Sequence, residues 1–431
     1  MRRCSLLCAE TSSKIVMTNS STPNHAFFSM DLQKVSNAER TEFMFVVCNE
    51  MTMIYVIYVI MLFFLNAYIL IAEMNDNEIN DVRTETDFKG ITFSKYKKPD
   101  ARKELLNHLK NGKIEEACYW TAEFVCAGHY QEVWDIILTC FGKHVHLANP
   151  KLCMYLELRY DAFKEIVANG YIGNELRMRN NPRIRTLFAE IACVLCNSKK
   201  KYSLEGIRVK KADFDSTAMT DKLKAPTVSY VSPVFLPGDP KELFIAINEF
   251  AFHISKDSKN SLQASYWLEW VMEFEQICRK KKQKCVGERR GTMPVDPKFQ
   301  MDPIWIMWEL IMGQARDAVQ PFMPKLMQSL LKLYCLRYTD GVKKKRRYLI
   351  YFAICLLTEP FAMPQEMVTN KEVIESVVKK IDTVYKQVKK NEIAPKTDYL
   401  TGTAGGGAKS DLDKTIEKMD KLNAMNTIVR Y

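Results

Sequence analysis

Three clusters of basic side chains are the residues whose type and spacing best fit a chemical task, which is contact with a phosphate backbone. They stand in loops or at helix ends, where several cations can reach one polyanion together. Such binding shows little sequence preference and weakens steeply as salt rises. The alternative is a solubilising surface, or cations that compensate the negative end of a helix. The predicted nucleic-acid contacts are Lys199, Lys200, Lys201, Arg279, Lys280, Lys281, Lys282, Arg289, Arg290, Lys343, Lys344, Lys345, Arg346 and Arg347.

The segment Gly402–Ser410 has the composition of a phosphate-binding loop but not its pattern. That loop requires Gly-x-x-x-x-Gly-Lys-Ser/Thr entered from a buried strand, so that backbone N–H groups surround the phosphates. Here Ala408 stands between the last glycine and Lys409, and the preceding residues do not have a strand pattern. A flexible linker therefore explains the segment better, and no nucleotide cofactor is predicted.

The cysteines and histidines could serve as metal ligands or nucleophiles. Thirteen cysteines are present, many at apolar helix positions, as is typical of reduced thiols in cytosolic or nuclear proteins. Cys193 and Cys196 have C-x-x-C spacing but no second pair, and His144 and His146 have no cluster of ligands beside them. No catalytic dyad, triad or carboxylate pair follows from spacing. We therefore expect no metal, no cofactor and no catalysis.

Composition predicts a globular, helix-rich chain. The 431 residues are 47% hydrophobic and 26% charged, with only 16 glycines and 16 prolines, which favours helix over sheet. The formal net charge of +11 suits an anionic partner, although a basic solvated surface needs none. The six tryptophans fall at helical spacing beside Ile and Leu, so core packing explains them better than base stacking.

Residues 1–73 differ in character from the rest of the chain. Met51–Ala72 is an uncharged apolar run long enough to cross a bilayer. Basic residues precede this run and acidic residues follow it, so a membrane anchor would export the large C-terminal part, whose cysteines look reduced. Met74 begins an ordinary soluble N-terminus. We therefore interpret residues 1–73 as an extension from a mis-called start, and keep a membrane anchor as the alternative; the membrane is a partner only if residues 51–72 are expressed.

Apolar periodicity predicts that helices dominate the remainder. Asn111-Gly112 ends one predicted helix and Pro182 begins another. Val228–Val231 is the one stretch that predicts a short strand. The predicted segments are a polar lead-in (74–99), a first helical unit (100–198), an irregular proline-containing connector (199–239), a second helical unit (240–392), and a Gly-rich joint with a last helix (393–431).

The two helical units carry similar landmarks in the same order. The box Ala-x-Tyr-Trp occurs at Ala117–Trp120 and again at Ala264–Trp267. Pro-Lys-Leu at 150–152 is repeated at 324–326, and each unit closes on a basic-to-apolar helix. We interpret this as a degenerate internal duplication, with chance similarity among helices of like composition as the alternative. The predicted fold class is all-α, with two related multi-helix units.

The first unit resembles a known family. Lys113–Trp120, Gly128, His144–Pro150 and Leu195–Lys199 resemble the C-terminal helical collar of the replication-associated recombination ATPases, which are clamp-loader relatives. The resemblance implies oligomerisation and the docking of partners in DNA replication and repair. The ATPase module of that family is missing here, so the resemblance implies no motor activity.

A second resemblance covers residues 90–430. Asp239–Phe250 and the Tyr266-Trp267 box are similar to an uncharacterised helical protein family of nucleocytoplasmic large DNA viruses, which includes the iridovirus immediate-early proteins. This resemblance implies a viral setting and assigns no reaction.

These observations predict a non-enzymatic viral scaffold or accessory protein for DNA replication, repair or early gene expression. We expect it to self-associate as a homo-oligomer and to bind nucleic acid non-specifically through its basic loops. The expected partners are DNA or viral replication proteins, and the expected location is the virus factory in the host cytoplasm, or the nucleus. The alternative is a structural protein of the virion, either a minor capsid protein or a membrane-associated one.

Overall fold

The computed structural model describes residues 77–393, in which helices alternate with turns and irregular segments and no strand is present. The predicted all-α class is therefore confirmed for this part of the chain. The α-helices are α1 (Lys98–Asn111), α2 (Ile114–Cys126), α3 (Tyr130–Cys140), α4 (Leu152–Ala168), α5 (Pro182–Asn197), α6 (Ser216–Thr220), α7 (Phe244–Ile254), α8 (Ser261–Lys280), α9 (Ile304–Arg316), α10 (Met323–Tyr334), α11 (Val342–Lys345), α12 (Arg347–Thr358) and α13 (Lys371–Lys389). A π-helical turn (Phe141–Val145) and 3₁₀ turns at His146–Ala148, Glu175–Asn180, Lys211–Phe214, Lys241–Leu243 and Pro297–Phe299 complete the helical structure.

Local residues fix several helix ends. Gly112 ends α1 at φ +73°, a conformation that glycine adopts without strain, and its N–H bonds to the carbonyl of His108. At the start of α5, the Asn181 side chain accepts the N–H of Arg183 at 2.8 Å, and Pro182 occupies the first turn. Asn260 caps α8 in the same way. The helix end at Gly112 and the helix start at Pro182 lie where they were predicted, whereas the start at Asn260 was not predicted.

The helices fall into two sets of five that pack in the same order. The first set is α1 to α5, and the second is α7, α8, α9, α10 and α12. In both sets the first helix packs on the second, third and fifth, the second packs on the third and fifth, and the fifth also contacts the third and fourth. A duplicated unit would produce this order, although α9 also packs on α10 and no comparable contact joins α3 to α4. The duplication itself stays a prediction.

Aromatic contacts give a mixed comparison of the two sets. Trp134 packs on Tyr160 with ring centroids 5.0 Å apart, and Trp308 packs on Tyr334 at 5.3 Å, with the same number of residues between the partners in each set. The two Tyr-Trp boxes match less well. Trp267 is fully buried beside Trp270, whereas Trp120 is half-buried.

The fourth helices of the two sets, α4 and α10, pack directly against each other. Buried side chains from both sets belong to one continuous hydrophobic core. The two predicted units are therefore halves of one packed body within the described residues. Five of the six tryptophans are buried in that core, as predicted.

Helix α13 lies in a different place from the one its sequence position predicted. From their place in the sequence, residues 371–389 were predicted to belong to the second helical unit. The helix packs instead on α2 and α5 of the first set. Its buried stripe contains Ile374, Ile381, Tyr385 and Val388. The Arg185 guanidinium lies 4.3 Å from the centre of the Tyr385 ring. Burial of this stripe explains why the helix returns across the molecule.

The connector is mostly irregular, as predicted, but the short strand predicted at Val228–Val231 is absent and the chain bends there. Two buried side chains of α7 hold the connector. Asn248 accepts the N–H of Val231 and donates to the carbonyl of Thr227 at 2.9 Å. The Glu249 carboxylate accepts two connector N–H groups at 2.9 Å each. A strand forms its backbone hydrogen bonds with a partner strand. Here the side chains of α7 form hydrogen bonds with the connector backbone instead.

Several predictions fall outside residues 77–393: the apolar run Met51–Ala72, the glycine-rich segment Gly402–Ser410 and the last predicted helix. Within the described residues, no helix combines the length and the apolar character that a membrane crossing requires.

Candidate polyanion-binding surface

The basic run Lys343–Arg347 is mostly neutralised by acids of helix α8. The Arg347 guanidinium lies 3.1 Å from Glu269, and the Lys344 ammonium lies 2.7 Å from Glu273. Two residues further along α8, the Glu275 carboxylate pairs with Lys343. The two segments run antiparallel and form a ladder of ion pairs. Of the five predicted contacts in this run, only Lys345 is exposed.

Lys343 itself is buried, with 4% of its surface exposed, between two carboxylates. Its ammonium bonds to Glu275 and lies 2.6 Å from the second carboxylate, Asp302. Burial alone would lower the pKa of the ammonium, but the two carboxylates outweigh it and raise the pKa. Tyr338 donates its hydroxyl to Asp302 at 2.9 Å. The prediction that Lys343 contacts nucleic acid is wrong, because the ammonium is buried and the two carboxylates neutralise its charge.

Arg346 is also buried, and it joins the two sets of helices. Its guanidinium donates to Asp135 of α3 at 3.0 Å and to the carbonyl of Tyr334 at 2.9 Å, and it also bonds to the carbonyl of Leu336. Only 3% of the residue is exposed. A phosphate backbone cannot reach it, so this predicted contact is wrong as well.

Arg290 is a third predicted contact that the structure places in the interior. Both Nη atoms bond to the Asp239 carboxylate, at 2.5 and 2.6 Å, and Nε bonds to Glu309 at 3.1 Å. Burial alone would raise the pKa of Asp239, but this bidentate pair and two backbone N–H donors lower it. The neighbouring Arg289 stays exposed and donates to Gln300 at 2.7 Å.

The first predicted cluster divides in the same way. Lys200 is half-buried and donates to the carbonyls of Leu195, Cys196 and Ser198 at 2.6 to 3.2 Å. It therefore caps the C-terminal end of α5, and burial lowers the pKa of its ammonium. Lys199 and Lys201 are exposed. These two lysines alone form a small cationic surface.

The remaining cluster stays at the surface. Lys280, Lys281, Lys282 and Lys284, here called the lysine turn, are all exposed and have no carboxylate partner among the described residues. Lys282 has φ +57° and the N–H of Gln283 bonds to the carbonyl of Cys278 at 2.8 Å, so the chain turns sharply at the end of α8. The turn places four cations on one short segment.

A second segment adds cations beside the lysine turn. An open hollow of about 320 Å³ is lined by Lys284 and Arg279 and, from a later loop, by Lys298. The acids that line it are already paired: Glu275 and Asp302 with Lys343, and Asp340 with Arg279 at 3.6 Å. Arg279 also pairs with Glu275 at 2.8 Å, and Lys298 lies 3.9 Å from Asp296. Among the described residues, Lys284 is therefore the rim cation without a carboxylate partner. The sequence did not point to Lys298, because only the fold brings this later loop beside Lys284.

The metal and nucleophile candidates are core residues. Cys193 and Cys196 are buried in α5, and burial raises the pKa of the Cys193 thiol to about 11. His144 and His146 bond to connector groups: His144 to the Ser203 hydroxyl at 2.8 Å, and His146 to the Tyr202 carbonyl at 2.6 Å. Within the part of the chain that the structure describes, no three His, Cys, Asp or Glu side chains are grouped so that they could hold a metal ion.

Comparisons with protein-family models, with curated proteins and with solved structures give no match to this chain. The exposed cations must therefore be interpreted from their own geometry.

Proposed function

We propose that this chain is a non-enzymatic accessory protein that binds nucleic-acid backbones without sequence preference through the lysine turn. The observation that supports this function most directly is the set of four exposed lysines, which have no acid partner among the described residues. Arg279 and Lys298 line the same hollow as Lys284. Flexible ammonium groups suit a phosphate backbone, because they act as point charges and carry no base-reading geometry. The all-α body would then present this surface and leave the remainder for protein contacts.

The biological setting we propose rests on the sequence resemblances. It is DNA replication, repair or early gene expression of a large DNA virus, with a self-associating protein acting in the virus factory or the nucleus. The collar-like resemblance supports self-association. Light scattering on the purified chain tests this part of the proposal, and a monomer at micromolar concentration contradicts it.

DNA affinity tests the lysine turn directly. Fluorescence anisotropy with two unrelated duplexes of equal length compares the wild type with the variant K280Q/K281Q/K282Q/K284Q. We expect similar affinities for the two duplexes, and a loss of at least about tenfold in the variant at roughly 0.1 M salt. The matched control, K89Q/K97Q/K103Q/K379Q, removes the same charge from other exposed lysines. An equal loss in the control would show that only net charge matters, and no binding by the wild type would reject the proposal.

A further inference from the structure

A crevice between α4 and the end of α10 has the size of a ligand site. It encloses about 600 Å³, within the range of small-molecule pockets. Phe163 and Val167 of α4 face Leu333 and Leu336 across it. Ile172, which is 78% exposed, also lines it. The walls therefore combine apolar and aromatic side chains with charged ones, and the apolar part would hold a flat or chain-like apolar body.

The crevice leads to an inner hollow with two unpaired polar groups. The inner hollow, of about 10 Å³, shares the walls Tyr160, Phe163 and Arg337 with the crevice. Tyr130 and Trp134 also line it, and they are 3% and 1% exposed. Among the described residues, neither the Tyr130 hydroxyl nor the Trp134 Nε1–H has a hydrogen-bond partner. Glu175 also lines the inner hollow, but its carboxylate bonds to neither of them. Buried donors are nearly always satisfied, so these two point to a further acceptor in the hollow.

Arg337 stands at the junction of the crevice and the inner hollow. It has φ +42°, and its side chain is about half exposed. Its guanidinium lies 3.6 Å from Glu175, which is longer than an ordinary hydrogen bond. The other cations of the crevice have closer acids: Lys332 lies 2.5 Å from Glu157, and Lys164 lies 2.7 Å from Asp161. Arg337 is therefore the cation most able to take a new anionic partner.

We propose that this crevice binds a small amphipathic anion, with an apolar body and one carboxylate-like or sulfonate-like head. A volume near 10 Å³ admits about one oxygen atom, which would accept hydrogen bonds from Trp134 Nε1–H and from the Tyr130 hydroxyl. The Arg337 guanidinium would pair with the rest of the head, and the apolar body would lie along Phe163 and Leu333. Trp134 and Arg337 can only donate, so the head must accept. This inference does not depend on the proposed function.

The test is a fluorescence titration of the full chain with 1-anilinonaphthalene-8-sulfonate, which has an aromatic body and a sulfonate head. We expect Tyr130→Phe, Trp134→Phe and Arg337→Gln each to weaken binding about tenfold, because each removes one donor to the head. Glu175→Gln removes the carboxylate that competes for Arg337, and we expect it to tighten binding severalfold.

Tyr334→Phe is the matched control, because the Tyr334 hydroxyl is equally buried and equally unpaired but belongs to the other set of helices. We expect it to leave binding unchanged. Melting temperatures measured with and without the probe separate specific binding from exposure of the core, since specific binding raises the melting temperature. The proposal is overturned if the wild type does not bind the probe, as expected of a hollow that holds only a water molecule. Equal binding by all variants overturns it too.

Discussion

Replacing Arg346 with methionine should destabilise the protein strongly, because this side chain joins the two sets of helices from the interior. The guanidinium bonds to Asp135 at 3.0 Å and to the carbonyls of Tyr334 and Leu336. Methionine keeps much of the apolar volume but leaves the buried Asp135 carboxylate without a cation. The only other side-chain donor to Asp135 in the described residues is Gln131, at 3.3 Å.

The size of the effect follows from these contacts. Removing one partner of a buried ion pair costs about 3–5 kcal/mol, and the two orphaned carbonyls place this case near the upper end. For a chain of this size, about 1 kcal/mol lowers the melting temperature by roughly 1 °C, so we expect a loss of about 4–5 °C. A second change, Asp135→Asn, should cost much less in the Arg346→Met background than in the wild type, because the two side chains form one unit.

Thermal and urea unfolding followed by circular dichroism measure this effect. Lys345→Met is the matched control, since Lys345 is exposed and adjacent in sequence. It should change the free energy of unfolding by less than about 0.5 kcal/mol. If Arg346→Met melts within about 1 °C of the wild type, or if the two changes are additive, the reasoning about this buried pair is refuted.

Three further predictions concern other buried groups. The lowered pKa of Asp239, paired with Arg290, stabilises the fold at neutral pH, and this contribution should be lost progressively as the pH falls below about 4, so the stability gap between wild type and D239N in urea unfolding should narrow there. Burial lowers the pKa of His144 to about 4, so acidification from about pH 6.5 downward should destabilise the wild type more than H144Q, as melting curves at several pH values would show. Gly142→Ala should cost about 1–3 kcal/mol in urea unfolding, because the added Cβ would lie 3.0 Å from the backbone of Tyr348; unchanged stability would contradict that close approach.

Helix boundaries could be predicted from sequence because their causes are local. Gly112 ends α1 and Pro182 begins α5 through the conformations that these residues favour. The apolar faces could be predicted for the same reason. The position of α13 could not be predicted. Its apolar stripe indicates that one face of the helix is buried, but it does not indicate which helices cover that face. The strand predicted at Val228–Val231 is absent because the N–H of Val231 bonds to the side chain of Asn248, which lies later in the chain, and not to a partner strand.

The candidate surface could be predicted only in part. A sequence shows where cations stand but not where their counter-charges will lie. Lys343 and Arg346 are neutralised by residues of α8 and α3, far away in the chain. The crevice above α4 was missed for a related reason. Trp134 has the spacing of a core residue and is one, yet its unpaired N–H is visible only once the fold has brought Arg337 beside it.

The salt dependence of DNA affinity tests the central claim about the lysine turn most directly. If its four lysines each neutralise one phosphate, they contribute about −3.6 to the slope of log affinity against log salt, or about 150-fold between roughly 50 and 200 mM. We expect K280Q/K281Q/K282Q/K284Q to lose about this much slope, and K89Q/K97Q/K103Q/K379Q to keep the wild-type slope. Equal slopes for the wild type and the lysine-turn variant would contradict the account.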